Sequence, residues 1–112
     1  MKIAILLPFK DTYTKNKAGS ASIWVKDFIK NSKFKKNITV YGYIKNLVKE
    51  DLINKKNYIN INYNFEYFIG SKNKKYVQIF NRLIKNKKFD IIEIHNRPNY
   101  INYLDKDLKK IL

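Results

Sequence analysis

At 112 residues the chain can enclose one small core but is short for a complete doubly wound enzyme, and 45 % hydrophobic residues set it apart from disordered chains. With no cysteine and a single histidine, His95, it excludes a disulfide framework, a thiol nucleophile and a Cys-based or multi-histidine metal site. The net charge of +15 comes from 22 lysines and only 2 arginines, beside 15 asparagines and 17 isoleucines, the mixture that AT-rich codons produce. A polyanion site and docking on an anionic membrane surface are the alternative sources of that charge; a nucleic-acid partner is not expected, because bidentate readout uses arginine.

Lys2-Ile-Ala-Ile-Leu-Leu-Pro8 is a continuous apolar run closed by proline, which predicts a strand buried on both faces of a parallel sheet. The run is too short for a signal peptide core, and no stretch approaches the ~20 apolar residues that span a bilayer, so a cytoplasmic protein, at most peripheral at the inner membrane face, is expected. A polar loop from Phe9 to Gly19 precedes a helix over Ser20–Ser32, with Ser20 or Ser22 as N-cap and Trp24, Val25, Phe28 and Ile29 on the core face. Asn37–Gly42 is a second strand. Tyr43–Asn57 is polar and ambiguous, with room for a short helix around Asn46–Ile53.

Tyr58–Tyr63 alternates as a strand near a sheet edge does. Asn73–Lys88 is the clearest helix, its stripe formed by Tyr76, Val77, Phe80, Leu83 and Ile84. Phe89–His95 is a further buried strand, Asn96–Asn99 a turn, and Tyr100–Leu112 a helical pattern that could lead into another strand. Strands alternating with helices predict an α/β fold of Rossmann-like type, a mostly parallel sheet with flanking helices. With about four strands, an uncovered edge and an uncapped end at Leu108–Leu112, residues 1–112 read as one partial domain truncated from a longer protein.

In such sheets ligands bind beyond the carboxyl ends of the strands. Two segments lie there. Ala18-Gly19-Ser20 leads into a helix N-terminus, where free N–H groups suit a phosphate; an ordinary loop-to-helix turn fits the same residues. Glu93-Ile-His95-Asn96-Arg97 puts a carboxylate and an imidazole on one face of a strand end, with a guanidinium on the turn. These can bind sugar hydroxyls and anionic groups; alternatively Glu93 pairs with Arg97 while His95 caps the next helix. Asp90 is expected to cap rather than catalyse. A Gly-x-Gly-x-x-Gly fingerprint is absent, which argues against a nicotinamide or flavin enzyme. A flavodoxin-like or response-regulator-like module would need an acidic cluster at the strand ends, for which only Asp11 and Glu93 are candidates.

Three segments together resemble the N-terminal domain of GT-B-fold glycosyltransferases of the retaining family 4, "group 1" type: Lys2–Pro8, Ala18-Gly19-Ser-Ala-Ser-Ile-Trp24-Val-Lys-Asp-Phe28, and Lys88-Phe-Asp90-Ile-Ile-Glu93-Ile-His95-Asn-Arg97-Pro98. The chain departs from that family in having Ala18-Gly19 where two glycines are frequent and Glu93 where a histidine is frequent. The resemblance implies retaining transfer of a sugar from a nucleotide-diphosphate sugar to a glycan or lipid-linked acceptor in surface polysaccharide or lipopolysaccharide synthesis. It assigns Gly19 and Ser20 to donor phosphates and Glu93, His95, Asn96 and Arg97 to acceptor or sugar binding. No metal and no cofactor beyond the sugar nucleotide are implied. The donor-binding C-terminal domain lies outside these residues, so this chain alone is expected to be inactive. A small basic nucleic-acid-binding domain is the competing class.

Overall fold

The computed structural model describes residues 1–105 and 110–111. The elements are β1 (Ile3–Leu6), α1 (Ser20–Asn31), β2 (Ile38–Gly42), β3 (Tyr58–Asn60), α2 (Lys72–Ile84), β4 (Ile91–Ile94) and β5 (Lys110–Ile111). All strand pairs are parallel, in the order β3-β2-β1-β4-β5. The protein is thus a parallel α/β sheet of Rossmann-like type with flanking helices.

β1 is central, which is why its apolar run is unbroken: Ile3, Ala4, Ile5 and Leu6 are all buried, between α1 on one face and α2 on the other. β3 lies at an edge, in keeping with its alternation. Ile3, Ile5 and Leu7 point to the α1 side with Val25 and Ile29; Ala4 and Leu6 point to the α2 side with Tyr76, Val77, Phe80 and Ile84. On the α2 side the expected stripe is the core-facing one, with Leu83 at its margin. Asn81 is also buried there, donating to the Tyr103 carbonyl at 2.8 Å. Two tyrosine hydroxyls lock this face to the top of β1. Tyr76 donates to the Leu7 carbonyl at 2.6 Å, and Tyr100 accepts the Phe9 N–H at 3.0 Å while donating to Asn73 at 2.6 Å.

Several expectations are corrected. Trp24 is not core: α1 turns Ala21, Val25 and Ile29 inward, leaving Trp24 49 % exposed and Phe28 partly buried. These two flank the part of the sheet over β4 that no helix among the described residues covers on this side, so the stripe is rotated towards β1 and β2. The N-cap of α1 is Gly19 rather than a serine, and its side-chain partner comes from elsewhere in the chain. Around Asn46–Ile53 there is only a 3₁₀ turn, Lys49–Asp51, which delivers Leu52 to the core. The segment after Pro98 is a 3₁₀ turn, Pro98–Tyr103, not an α-helix; the remainder of the expected helix falls largely outside the described residues. Asp90 accepts the Lys2 backbone N–H at 2.8 Å and ties β4 to the start of β1.

Candidate functional site at the strand switch point

The chain runs outward from β1 to β2 and β3, then returns to the other side of β1 as β4. The crevice of an open α/β sheet opens where the strand order reverses, between β1 and β4. Leu6 is level with Ile94, so the loop after β1 and the residues after β4 leave the sheet side by side.

The loop after β1 begins with a turn in which the Pro8 carbonyl accepts the Asp11 N–H at 3.0 Å. Its third residue, Lys10, has φ 75°, a left-handed conformation that costs a lysine about 1 kcal/mol or more. The turn delivers Asp11 to the start of α1. One carboxylate oxygen accepts the Ala21 N–H at 3.2 Å and the other accepts the Ser22 hydroxyl, which is fully buried. Asp11 therefore does for α1 what an N-cap side chain does for other helices, and complements the positive end of the helix dipole. Gly19 has an ordinary extended φ of −76°; its need for glycine is steric, because a Cβ there would sit 2.6 Å from an Asp11 carboxylate oxygen. The anion at this helix N-terminus is the protein's own.

Across the crevice, Glu93 and His95 project from β4 to the α1 side. Their side chains are 17 % and 14 % exposed, with Glu93 Oε1 and His95 Nε2 3.6 Å apart, beyond hydrogen-bond distance. His95 Nε2 is buried and has no hydrogen-bond partner. The indole of Trp24, with its centroid 4.7 Å away at 45°, covers the imidazole. Burial lowers the His95 pKa, an effect the Asp11 charge partly offsets, and burial raises that of Glu93. Both shifts favour the neutral forms, so burial works against an ion pair between the two groups.

Of the residues singled out in the sequence, Glu93 and His95 stand together on β4, while Gly19 and Ser20 lie at the start of α1, linked to His95 only through the Asp11 carboxylate that adjoins Gly19 and whose charge acts on the imidazole. Arg97 and Asn96 stand apart. Asn96 occupies a left-handed turn position (φ 59°), and Arg97 is exposed, donates to the Asn96 carbonyl at 2.7 Å and reaches the Tyr100 hydroxyl on the α2 side. No Glu93–Arg97 ion pair forms among the described residues, and the cap of the following turn is Arg97 without a side-chain bond, so His95 does not cap it. Sequence reasoning missed the roles of Asp11 and Trp24. A carboxylate that caps a helix from ten residues upstream has no periodic signature, and Trp24 shares its helical spacing with true core residues.

Below Glu93, the uncovered α1 side of the sheet forms an open groove of about 900 Å³ between Trp24 and Phe28 on one wall and Ile3 and Ile91 on the floor. No group of three metal-ligating side chains occurs among the described residues, and none of their helices is long and apolar enough to cross a membrane. Compared with protein-family models, curated proteins and solved structures, the chain matches none.

Proposed function

We propose that the β1/β4 crevice is a sugar-binding site and that the chain is the acceptor-side, N-terminal part of a retaining GT-B-type glycosyltransferase. The observation that carries this reading is His95: a buried, unpartnered Nε2 beside a carboxyl oxygen, under an exposed indole, at the switch point. An unpaired buried polar atom costs about 1–3 kcal/mol, which a ligand hydroxyl lying between Nε2 and Glu93 Oε1 would recover. An indole face beside such polar groups suits the apolar face of a pyranose ring. The sequence resemblance adds the reaction class, transfer from a nucleotide-diphosphate sugar to a glycan or lipid-linked acceptor hydroxyl.

In this reading His95 and Glu93 hold and orient the acceptor hydroxyl, the neutral imidazole being able to accept its proton. Asp11 fixes the start of α1 and, with it, the crevice wall. The donor-phosphate role expected of Gly19 and Ser20 is not carried forward, because a second anion there would meet the Asp11 carboxylate. In this reading this chain's residues contribute the acceptor-binding wall of the cleft.

Trp24 is the only tryptophan, which makes its fluorescence a direct reporter of this site. Titration with a panel of mono- and disaccharides and sugar nucleotides is expected to give a saturable change with at least one of them, abolished in His95→Ala. A flat response to the whole panel at millimolar concentration sinks the reading.

A further inference from the structure

A second feature of the same sheet end stands outside the crevice. Between β3 and α2 the chain makes a short, well-braced loop. Phe65 is buried as its anchor, Phe65–Tyr67 is a 3₁₀ turn closed by the Phe68 N–H on the Phe65 carbonyl, and Ser71 caps α2 by accepting the Lys74 N–H at 3.2 Å. Gly70, at φ 123°, makes the bend that side chains other than glycine rarely adopt. This frame presents Tyr67 and Ile69 outward, 80 % and 95 % exposed. A braced isoleucine held almost wholly in water gains nothing from the fold.

Cations surround that tip. Lys72, Lys74 and Lys75 occupy the first turn of α2, which contains no acid, although the positive end of a helix dipole disfavours lysine. The Lys75 ammonium lies 5.0 Å from the Tyr63 ring centroid and 5.8 Å from that of Phe68, which keeps it beside the aromatic tip. Glu66, the one acid of residues 61–75, is paired with Lys45. None of the three α2 lysines forms a salt bridge among the described residues.

We propose that this loop is a docking surface for an anionic lipid bilayer, with Ile69 and Tyr67 entering the headgroup–acyl boundary and Lys72, Lys74 and Lys75 meeting lipid phosphates. The combination selects that partner. A polyanion in water would use the lysines but not Ile69, and an apolar protein groove would use Ile69 but not three lysines. A bilayer surface uses both, and tyrosine favours its interfacial region. The inference does not depend on the sugar-transferase reading. The loop and the crevice nevertheless both lie at the carboxyl end of the sheet, so docking would hold the crevice close to the membrane surface.

The test is co-sedimentation of the full chain with phosphatidylcholine vesicles, with and without about one-third phosphatidylglycerol. Binding is expected only with the anionic lipid. Lys72→Gln/Lys74→Gln/Lys75→Gln should weaken it about a hundred-fold, about five-fold per lysine, from about 1 kcal/mol for each basic residue at such a surface. Ile69→Glu should weaken it about ten-fold or more, and Ile69→Ser should weaken it as well, with unchanged circular dichroism. Lys33→Gln/Lys35→Gln/Lys36→Gln removes the same charge from exposed lysines at the opposite end of the sheet and should leave binding within about three-fold. Equal losses in the two triple variants, indifference to both Ile69 variants, or equal binding to neutral vesicles would each overturn the proposal. Retention of docking by His95→Ala is expected, and separates this surface from the crevice.

Discussion

The two faces of the sheet are built differently. On the α2 side an aromatic core runs without interruption from Tyr41 through Phe80 and Tyr76 to Tyr100, and buried tyrosine hydroxyls find partners at Leu7 and Asn73. On the α1 side the aliphatic core of Val25, Ile29 and Val40 stops at β4, where Trp24 stands half in water over Glu93 and His95. Both faces bury polar atoms without partners, the Tyr41 hydroxyl and Asn81 Oδ1 on the α2 side and His95 Nε2 on the α1 side; what distinguishes His95 is the Glu93 carboxyl group beside it and the half-exposed indole over it. A helix that covered β4 on the α1 side would bury the same polar groups and close the crevice.

The largest expected contrast is in stability. Phe80→Ala should cost about 3–5 kcal/mol in urea unfolding, since Phe80 is fully buried, whereas Trp24→Ala should cost under about 1 kcal/mol while abolishing saccharide binding followed by titration calorimetry, a readout that does not depend on the indole. Similar costs for the two would erase the distinction between the faces. Tyr76→Phe, which strands the buried Leu7 carbonyl, should cost about 1–2 kcal/mol.

Next comes the cap of α1. Asp11→Ala should cost about 1 kcal/mol, and Gly19→Ala should destabilise the parent protein but much less the Asp11→Ala variant, because the clash is with that carboxylate. Additive costs in the double-mutant cycle would show that Gly19 is needed for another reason.

The smallest effects are in titration. The His95 imidazole, followed by NMR, should titrate below its ordinary value of 6.5, and lower still in Asp11→Asn, which removes the charge that supports protonation. A histidine depressed in the folded state binds its proton more readily when unfolded. Its part of the stability therefore falls as pH drops below about 6.5 and levels off below the folded pKa. Glu93, raised by burial, works in the opposite sense: its part is lost as pH rises from about 4.5 through its folded pKa. Glu93→Gln should therefore be more stable than the parent at pH 7, with the advantage gone below about pH 4, as unfolding curves at the two pH values would check.

Periodicity and chain order by themselves determined the α/β class, the unbroken burial of Ile3–Leu6, the stripe of α2 and the edge character of the strand at Tyr58, because each depends on residues close together in the chain. The same logic put Glu93 and His95 on one face of one strand. Tertiary structure alone decided that β4 returns beside β1, that Asp11 caps the start of α1, that Trp24 stands over His95 instead of in the core, and that Arg97 does not pair with Glu93. The reason is that strand order and helix rotation follow from which surfaces close on one another over long sequence separations. Local spacing shows only that a helix has an apolar side, not which part of a sheet that side will cover.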